Sequence, residues 1–296
     1  MARRLFFLLV SIAVWVADSF RQWVASLVGK TSPGTWVVLY YHSVPMEKAT
    51  AFARQMERAL RWATPVSPAA HRLPQGRRFF SVTFDDALQN LVGTALPLLL
   101  ARGIPAAVFV PAGFVGRKAS WKMEKGCGEQ GQQVMKWSDL RSLEPELVVI
   151  GSHTMSHPHL TRLSDEELER ELARSRLTLE ARLGRPVRLV SFPHGDYDAR
   201  VLQAARHAGY TRAFSVDPWC DTFQVESQVL GRVKVDPSDW PIEFFLKIRG
   251  AYRWRASASR LKQRLKSLKA ARHLLSADGA RPASSTVSTL FASTRR

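Results

Sequence analysis

Phe79-Phe80-Ser81-Val82-Thr83-Phe84-Asp85-Asp86 is a short apolar run that ends in two adjacent carboxylates. Its length and its aromatic and β-branched content read as a buried strand over residues 79–84. Runs of the same kind lie at 36–41, 106–110, 147–150, 187–192 and 211–216. Between them, segments with helical spacing cover 51–62, 88–101, 165–183 and 199–208. Ser164 followed by Glu167 fits a capping box, and Gly184 after Leu183 supplies a stop for the same helix. Repeated strand–helix alternation predicts an α/β fold with parallel strands, and the number of strands suits a barrel. No internal repeat is visible. Catalytic groups in barrels gather at the C-terminal ends of strands, which is where Asp85 and Asp86 fall. Taken alone the pair reads more simply, as a helix cap and a solvent-facing neighbour ahead of Leu88.

Composition bounds the reading further. The chain has 296 residues, 46% of them hydrophobic and 23% charged, which suits one large folded domain with tails and excludes wholesale disorder. The formal charge of +18 favours anionic surroundings. It is unevenly placed: residues 251–296 carry eleven basic side chains against a single acidic one, Asp278, for a net +10. Within that tail, Leu261, Leu265, Leu268 and Leu275 share one side of a basic amphipathic helix over 257–275, and 276–296 reads as disordered. Cys127 and Cys220 are the only cysteines and form no C-x-x-C knuckle, so a disulfide and two free thiols both stay open.

At the other end, Arg3 and Arg4 precede an apolar run from Leu5 to Ala17 broken only by Ser11. Thirteen residues match a signal-peptide core and fall short of the roughly 20 that cross a bilayer. The small-residue cleavage pattern is missing, because Trp15 and Trp23 occupy the positions where it needs a small side chain. Phe20, Trp23, Val24, Leu27 and Val28 continue at helical spacing. Residues 3–28 therefore read as an uncleaved anchor, either a short span or a helix lying in the membrane interface, with packing on the domain's own core as the alternative. The predicted organisation is a hydrophobic anchor at 1–30, a catalytic domain at 35–252 and a basic tail at 253–296.

Chemistry enters with His153-Thr154-Met155-Ser156-His157-Pro158, just after the strand at 147–150. Two histidines four residues apart can converge on one ion, and Pro158 breaks any continuing helix. One Asp with two His makes three protein ligands, the number a catalytic metal site uses while keeping one position open for water. The second Asp is then free to act as a base.

These residues resemble the polysaccharide deacetylases, the NodB homology domain of carbohydrate esterases. Thr83–Asp86 matches the family's T-F-D-D motif and His153–Pro158 its H-[ST]-x-x-H-P motif. The third motif, R-x-P-x-G, aligns with Ser191-Phe192-Pro193-His194-Gly195, where Ser191 replaces the arginine that steadies the catalytic carboxylate in the family. The F-P-x-G-D-Y-D spelling and Tyr41-His42-Ser43-Val44 look like the branch that deacetylates poly-N-acetylglucosamine exopolysaccharides. The resemblance covers roughly 35–252 and implies a distorted (β/α)7-type TIM-like barrel. It implies a divalent metal, zinc, on Asp86, His153 and His157. Asp85 would be the catalytic base, His42 the acid, and the backbone N–H of His194 an oxyanion donor. Pro193, Gly195, Asp217 and Trp219 are the implied substrate contacts, although for the fourth motif position favours Val216-Asp217-Pro218-Trp219 and spelling favours Val235-Asp236-Pro237-Ser238-Asp239-Trp240.

The expected partner is an N-acetylated poly- or oligosaccharide, with a lipid-linked acetamido or formamido sugar and an inactive glycan-binding module as the other readings. An anionic membrane surface would be met by the N-terminal helix and the basic C-terminal helix, and no nucleic acid is expected. Arg3 and Arg4 before the apolar run would place the domain on the extracytoplasmic face of a bacterial inner membrane, whereas the basic tail suits the cytoplasmic leaflet.

Overall fold

The computed structural model describes residues 1–32, 34–121, 131–218 and 228–258. Contacts group Met1–Ala256 as one compact unit, apart from Ser257–Arg296. The expected basic helix at 257–275, the tail beyond it, both cysteines and Trp219 lie outside the described residues, apart from Ser257 and Ala258.

Among the described residues, nine strands form one sheet. They are β1 (Thr35–Tyr41), β2 (Thr64–Pro65), β3 (Arg78–Phe84), β4 (Ala106–Val110), β5 (Val148–Ser152), β6 (Leu189–Ser191), β7 (Arg212–Phe214), β8 (Val229–Leu230) and β9 (Val233–Lys234). Their order is β8-β7-β6-β5-β4-β3-β1-β9 with every pairing parallel, and β2 pairs with the start of β3 before β4 takes over at Val82. The helices are α1 (Ala2–Leu27), α2 (Ala49–Trp62), α3 (Asn90–Gly93), α4 (Ala95–Leu100), α5 (Trp137–Ser142), α6 (Asp165–Glu169), α7 (Ser175–Leu183), α8 (Ala199–His207) and α9 (Pro241–Ile248). This curled parallel sheet with its helices is a distorted (β/α) barrel, and all six strands expected from the sequence are present.

Three strands escape the sequence reading because each is only two residues long. Two of them matter. β8 pairs with β7 and β9 pairs with β1, so the chain crosses from one edge of the curl to the other through Gly231 and Arg232 alone. Arg232 thus stands at the seam of the barrel.

Alternation along the strands sorts the core. Val37, Leu39 and Tyr41 face the helices, with Phe80, Val82 and Phe84 beside them. Trp36, Val38, Phe79, Phe109, Leu189 and Phe214 fill the inside of the curl. A period of two is what a strand imposes, and burial on both faces explains why these strands read as continuous apolar runs.

The helical expectations need two corrections. The segment at 88–101 is not one helix: it breaks at Thr94, whose hydroxyl donates to the Asn90 and Val44 carbonyls, both at 2.6 Å. The segment at 165–183 runs through, but Arg170–Arg174 is a wider π turn between α6 and α7. Its start is capped as expected, with Ser164 and Glu167 exchanging side-chain-to-backbone bonds, and Gly184 ends it in the left-handed region. At the N-terminus, α1 packs one side on α9 and on the turn Ala251–Arg253.

Gly151 on β5 lets the Phe109 ring lie against the strand, and a Cβ there would collide with that ring. Gly151→Ala is therefore expected to destabilise the fold by about 1–3 kcal/mol through overpacking. A melting temperature lowered by several degrees supports this packing, and an unchanged one contradicts it.

Candidate metal and catalytic site

The inward parity of β3 carries Phe79, Ser81 and Thr83 into the curl, and Asp85 is next in line. Asp85 N–H donates to the Tyr41 carbonyl at 2.9 Å, which continues the β1–β3 ladder one residue past the strand. Strict alternation would turn Asp86 away. Instead Asp86 and Ala87 take left-handed backbone, with φ of 67° and 47°, and both carboxylates stay at the barrel end. On β5 the same parity brings His153 inward after Gly151, and left-handed turns at Thr154 and His157 bring the second imidazole back to the first. His194 is the fifth non-glycine residue with positive φ, and among the described residues all five border this site. Such conformations are costly and cluster where surrounding structure enforces them.

Asp86 Oδ1 lies 3.6 Å from His153 Nε2 and 3.5 Å from His157 Nε2, with all three side chains buried. Ligands held about 2.0–2.1 Å from a tetrahedral zinc are roughly 3.3–3.4 Å apart, so this trio fits such an ion and leaves its fourth position to water or substrate. His153 Nδ1 lies 2.8 Å from the Ser191 carbonyl, which fixes the ring so that Nε2 offers its lone pair to the site. Burial pushes His153 down to about 4, partly offset by the Asp85 charge. Burial together with the His153 and His194 rings pushes His157 lower still. Both rings are therefore neutral at pH 7, the form that binds metal. Trp121 stacks on His157 at 4.9 Å and closes one side.

The largest surprise is Arg232. Its side chain is fully buried, and its guanidinium donates to both oxygens of Asp85 at 2.7 and 2.8 Å. The remaining donors reach Ser191 Oγ at 2.8 Å, Thr83 Oγ1 at 3.2 Å and the Ser215 carbonyl at 3.1 Å. The rings of Tyr40, Phe109 and Phe214 surround the cation. Burial alone would raise the Asp85 carboxyl, but the Arg232 charge and the His153 ring outweigh it and hold the group far below the usual carboxylate range. By motif spelling, Ser191 leaves that carboxylate unsteadied. In the structure its small side chain makes room for a guanidinium arriving from the barrel seam. A sequence signal existed: Val229-Leu230-Gly231-Arg232-Val233 alternates, and Leu230 faces inward, so Arg232 shares its parity.

The other expected residues are placed as follows. His42 is half-buried one residue past β1, close enough to Asp85 and His153 for its charge to act on both. Pro193 and Gly195 form a tight turn beside β6, and Gly195 abuts Val216 so closely that a Cβ would clash. The His194 ring lies between His157 and His159, with centroids at 4.7 and 4.1 Å. That ring, rather than the backbone alone, borders the Asp86–His153–His157 trio. Asp217 N–H donates to Ser215 Oγ, on the residue whose carbonyl holds Arg232. Asp239 pairs with Lys247 at 2.6 Å and Asp236 with Lys48 at 3.1 Å, so the alternative motif at 236–240 is occupied in tying α9 and the start of α2 to the barrel end.

Arg232→Lys keeps the buried charge but loses the two-pronged grip. It is expected to fold, retain the metal and lower kcat about 10- to 100-fold, whereas Arg232→Met, which strands a buried carboxylate, destabilises by about 3–5 kcal/mol. Wild-type kcat in Arg232→Lys would contradict a positioning role.

A sequence profile described as polysaccharide deacetylase matches residues 72–213, beginning after His42 and ending before Arg232. YxkH of Bacillus subtilis (strain 168), a protein named by inference as a polysaccharide deacetylase, is 23% identical over 233 residues, 74% of this chain and 77% of its own. Among solved structures, IcaB from Ammonifex degensii is 25% identical with a TM-score of 0.61, covering 72% of this chain and 97% of that one. The Streptococcus pyogenes deacetylase PplD, solved with acetate, shares the fold at 18% identity and a TM-score of 0.56, over 73% and 97% of the two chains. Profile, fold and the strand-end carboxylates agree: residues 72–213 match the polysaccharide deacetylases, hydrolases of carbon–nitrogen bonds other than peptide bonds, and the chain is similar to that family.

Proposed function

We propose that this protein is a zinc-dependent deacetylase that releases acetate from N-acetylhexosamine units of a poly- or oligosaccharide. The observation that carries the reading is the pairing of a buried Asp86–His153–His157 trio, at the spacing of a coordination tetrahedron, with a second carboxylate gripped by Arg232.

An amide resists hydrolysis because its carbonyl is a weak electrophile and its nitrogen a poor leaving group. A zinc ion on the trio would polarise the acetyl carbonyl and lower the pKa of water from about 15.7 toward 7. Asp85, held ionised by Arg232, accepts the proton of the attacking water at a carboxylate oxygen. Its low pKa means that it does not keep the proton. His42 donates a proton to the departing nitrogen, and the backbone N–H of His194 donates to the oxyanion. Pro193, Gly195 and Asp217 border the sugar, and Trp121, stacked on His157, keeps water from one side of the ligand trio. An active enzyme is favoured over an inactive glycan-binding module by the Arg232–Asp85 pair, because simple binding gives a buried, oriented, non-ligating carboxylate no task.

A membrane-held enzyme is part of the same reading. α1 is long and apolar enough by length and composition to meet a bilayer, and the chain's excess positive charge suits anionic headgroups. A substrate near the membrane, whether polymer or lipid-linked sugar, would then lie within reach, with the extracytoplasmic face as the proposed side.

Acetate release from defined N-acetylglucosamine oligosaccharides tests the chemistry. Zinc-loaded wild type should turn over, chelation should stop it, and added zinc should restore it. Asp85→Asn should keep one zinc per chain while losing at least about 100-fold in rate. His153→Ala should lose the metal itself. Full activity in Asp85→Asn would remove that residue from the base role, and zinc binding by His153→Ala would remove the trio.

A further inference from the structure

A helix on a soluble protein ordinarily turns its apolar face to the core and its polar face to water. α1 does not. Its polar links point inward at heptad spacing. Arg4 pairs with Glu243 at 2.6 Å, Ser11 accepts from Trp254 Nε1 at 3.0 Å, and Asp18 pairs with Arg253 at 2.6 Å. Ser11 is fully buried by this contact. On the opposite side Leu9, Val16, Phe20, Trp23 and Leu27 form a bare stripe, each more than half exposed, and Leu27 reaches 67%. Positions 9, 16, 20, 23 and 27 are separated by seven, four, three and four residues, so they share one face.

We infer that α1 lies flat in the headgroup region of an anionic bilayer, docked to the domain along its length, and does not span the membrane. The inference rests on the membrane-held reading above and decides its geometry. Crossing the bilayer would break the Arg4–Glu243 and Asp18–Arg253 pairs and carry Asp18 and Arg21 into hydrocarbon. Lying flat keeps both pairs and covers the stripe. The flank supplies charge complementarity: Arg3 and Arg255 lie over the Phe7 ring at 5.2 and 4.8 Å, and with Arg21 they have no ion-pair partner among the described residues. Guanidinium groups at the edge of an apolar stripe are placed to meet lipid phosphates.

The docking also orients the enzyme. Arg4 stacks on Trp240, which follows β9, and so sits toward the C-terminal ends of the strands. Gln22 reaches Arg78 at the start of β3. α1 therefore runs antiparallel to the strands along the barrel wall. With α1 flat, the barrel axis is parallel to the membrane and the metal site opens sideways along the surface, where a chain emerging from or lying on the membrane passes it.

The test uses full-length protein with Cys127→Ser and Cys220→Ser and single cysteines at Leu9, Val16, Leu27, Ser19 or Ser26, each carrying an environment-sensitive fluorophore. Depth is read with quencher lipids in phosphatidylglycerol-containing vesicles. A flat helix places Leu9, Val16 and Leu27 at one depth within the acyl chains and Ser19 and Ser26 at the headgroups. A depth that follows position along the helix, with Ser19 as deep as Val16, overturns the inference while leaving a membrane-held enzyme. Absence of vesicle binding overturns both, and stripe labels shielded without vesicles point to a second copy of the chain and overturn the inference. Acetate release from soluble oligosaccharide, measured on the same variants, reports the chemistry independently.

Discussion

The bidentate contact between Arg232 and Asp85 is the interaction around which the rest of the structure is organised. Burying two charges costs several kcal/mol for each ion unless every donor and acceptor is matched. Here the match is close. Besides the two carboxylate oxygens, Thr83, Ser191 and Ser215 each offer the guanidinium an oxygen, and the aromatic rings of Tyr40, Phe109 and Phe214 complete the surround. Those partners come from β1, β3, β4, β6 and β7 or the residues just after them, so the barrel must be closed for the contact to form. The two-residue crossing at Gly231 and Arg232 is what delivers the cation. Closure of the fold and orientation of the Asp85 carboxylate are thus one event.

The same frame explains why adjacent carboxylates can have different tasks. Asp85 follows the strand's alternation into the curl and is gripped there. Asp86 escapes that alternation through left-handed backbone and faces the two imidazoles. Each of these turns at a non-glycine residue carries a conformational cost of roughly 1–3 kcal/mol, which a rigid, closed barrel can sustain. Neutral, buried imidazoles and a carboxylate that rests ionised are opposite responses to one environment: burial dominates at the rings, and a paired cation outweighs it at Asp85.

Much of this was legible in the sequence. The six longer strands announced themselves as apolar runs because both faces are buried, and the capping box at Ser164 and the glycine stop at Gly184 fixed one helix at both ends. Asp85, Asp86, His153 and His157 were recognisable from spelling and spacing. What the residues alone did not disclose was anything set by pairing at a distance. β8 and β9 are too short to show periodicity, and their role depends on joining opposite edges of the sheet. Arg232 lay unmarked for that reason, and Ser191 looked like a loss when it is the small half of an exchanged pair of positions. Thr94 split a helix whose apolar pattern runs straight through it, because a hydroxyl bonded to Val44 outweighs local periodicity. α1 was ambiguous among span, interface and core because its two apolar sides cannot be assigned without knowing which one meets Glu243, Trp254 and Arg253.

In the proposed mechanism one metal ion would sit on Asp86, His153 and His157, while Arg232 would keep Asp85 off the metal and ready for the proton. Zinc-edge anomalous diffraction from crystals of the zinc-loaded protein tests it most directly. One strong peak is expected about 2.0–2.2 Å from Asp86 Oδ1 and both Nε2 atoms, with Asp85 still bonded to the Arg232 guanidinium. A peak coordinated by Asp85, or a metal bound away from the two histidines, would contradict it.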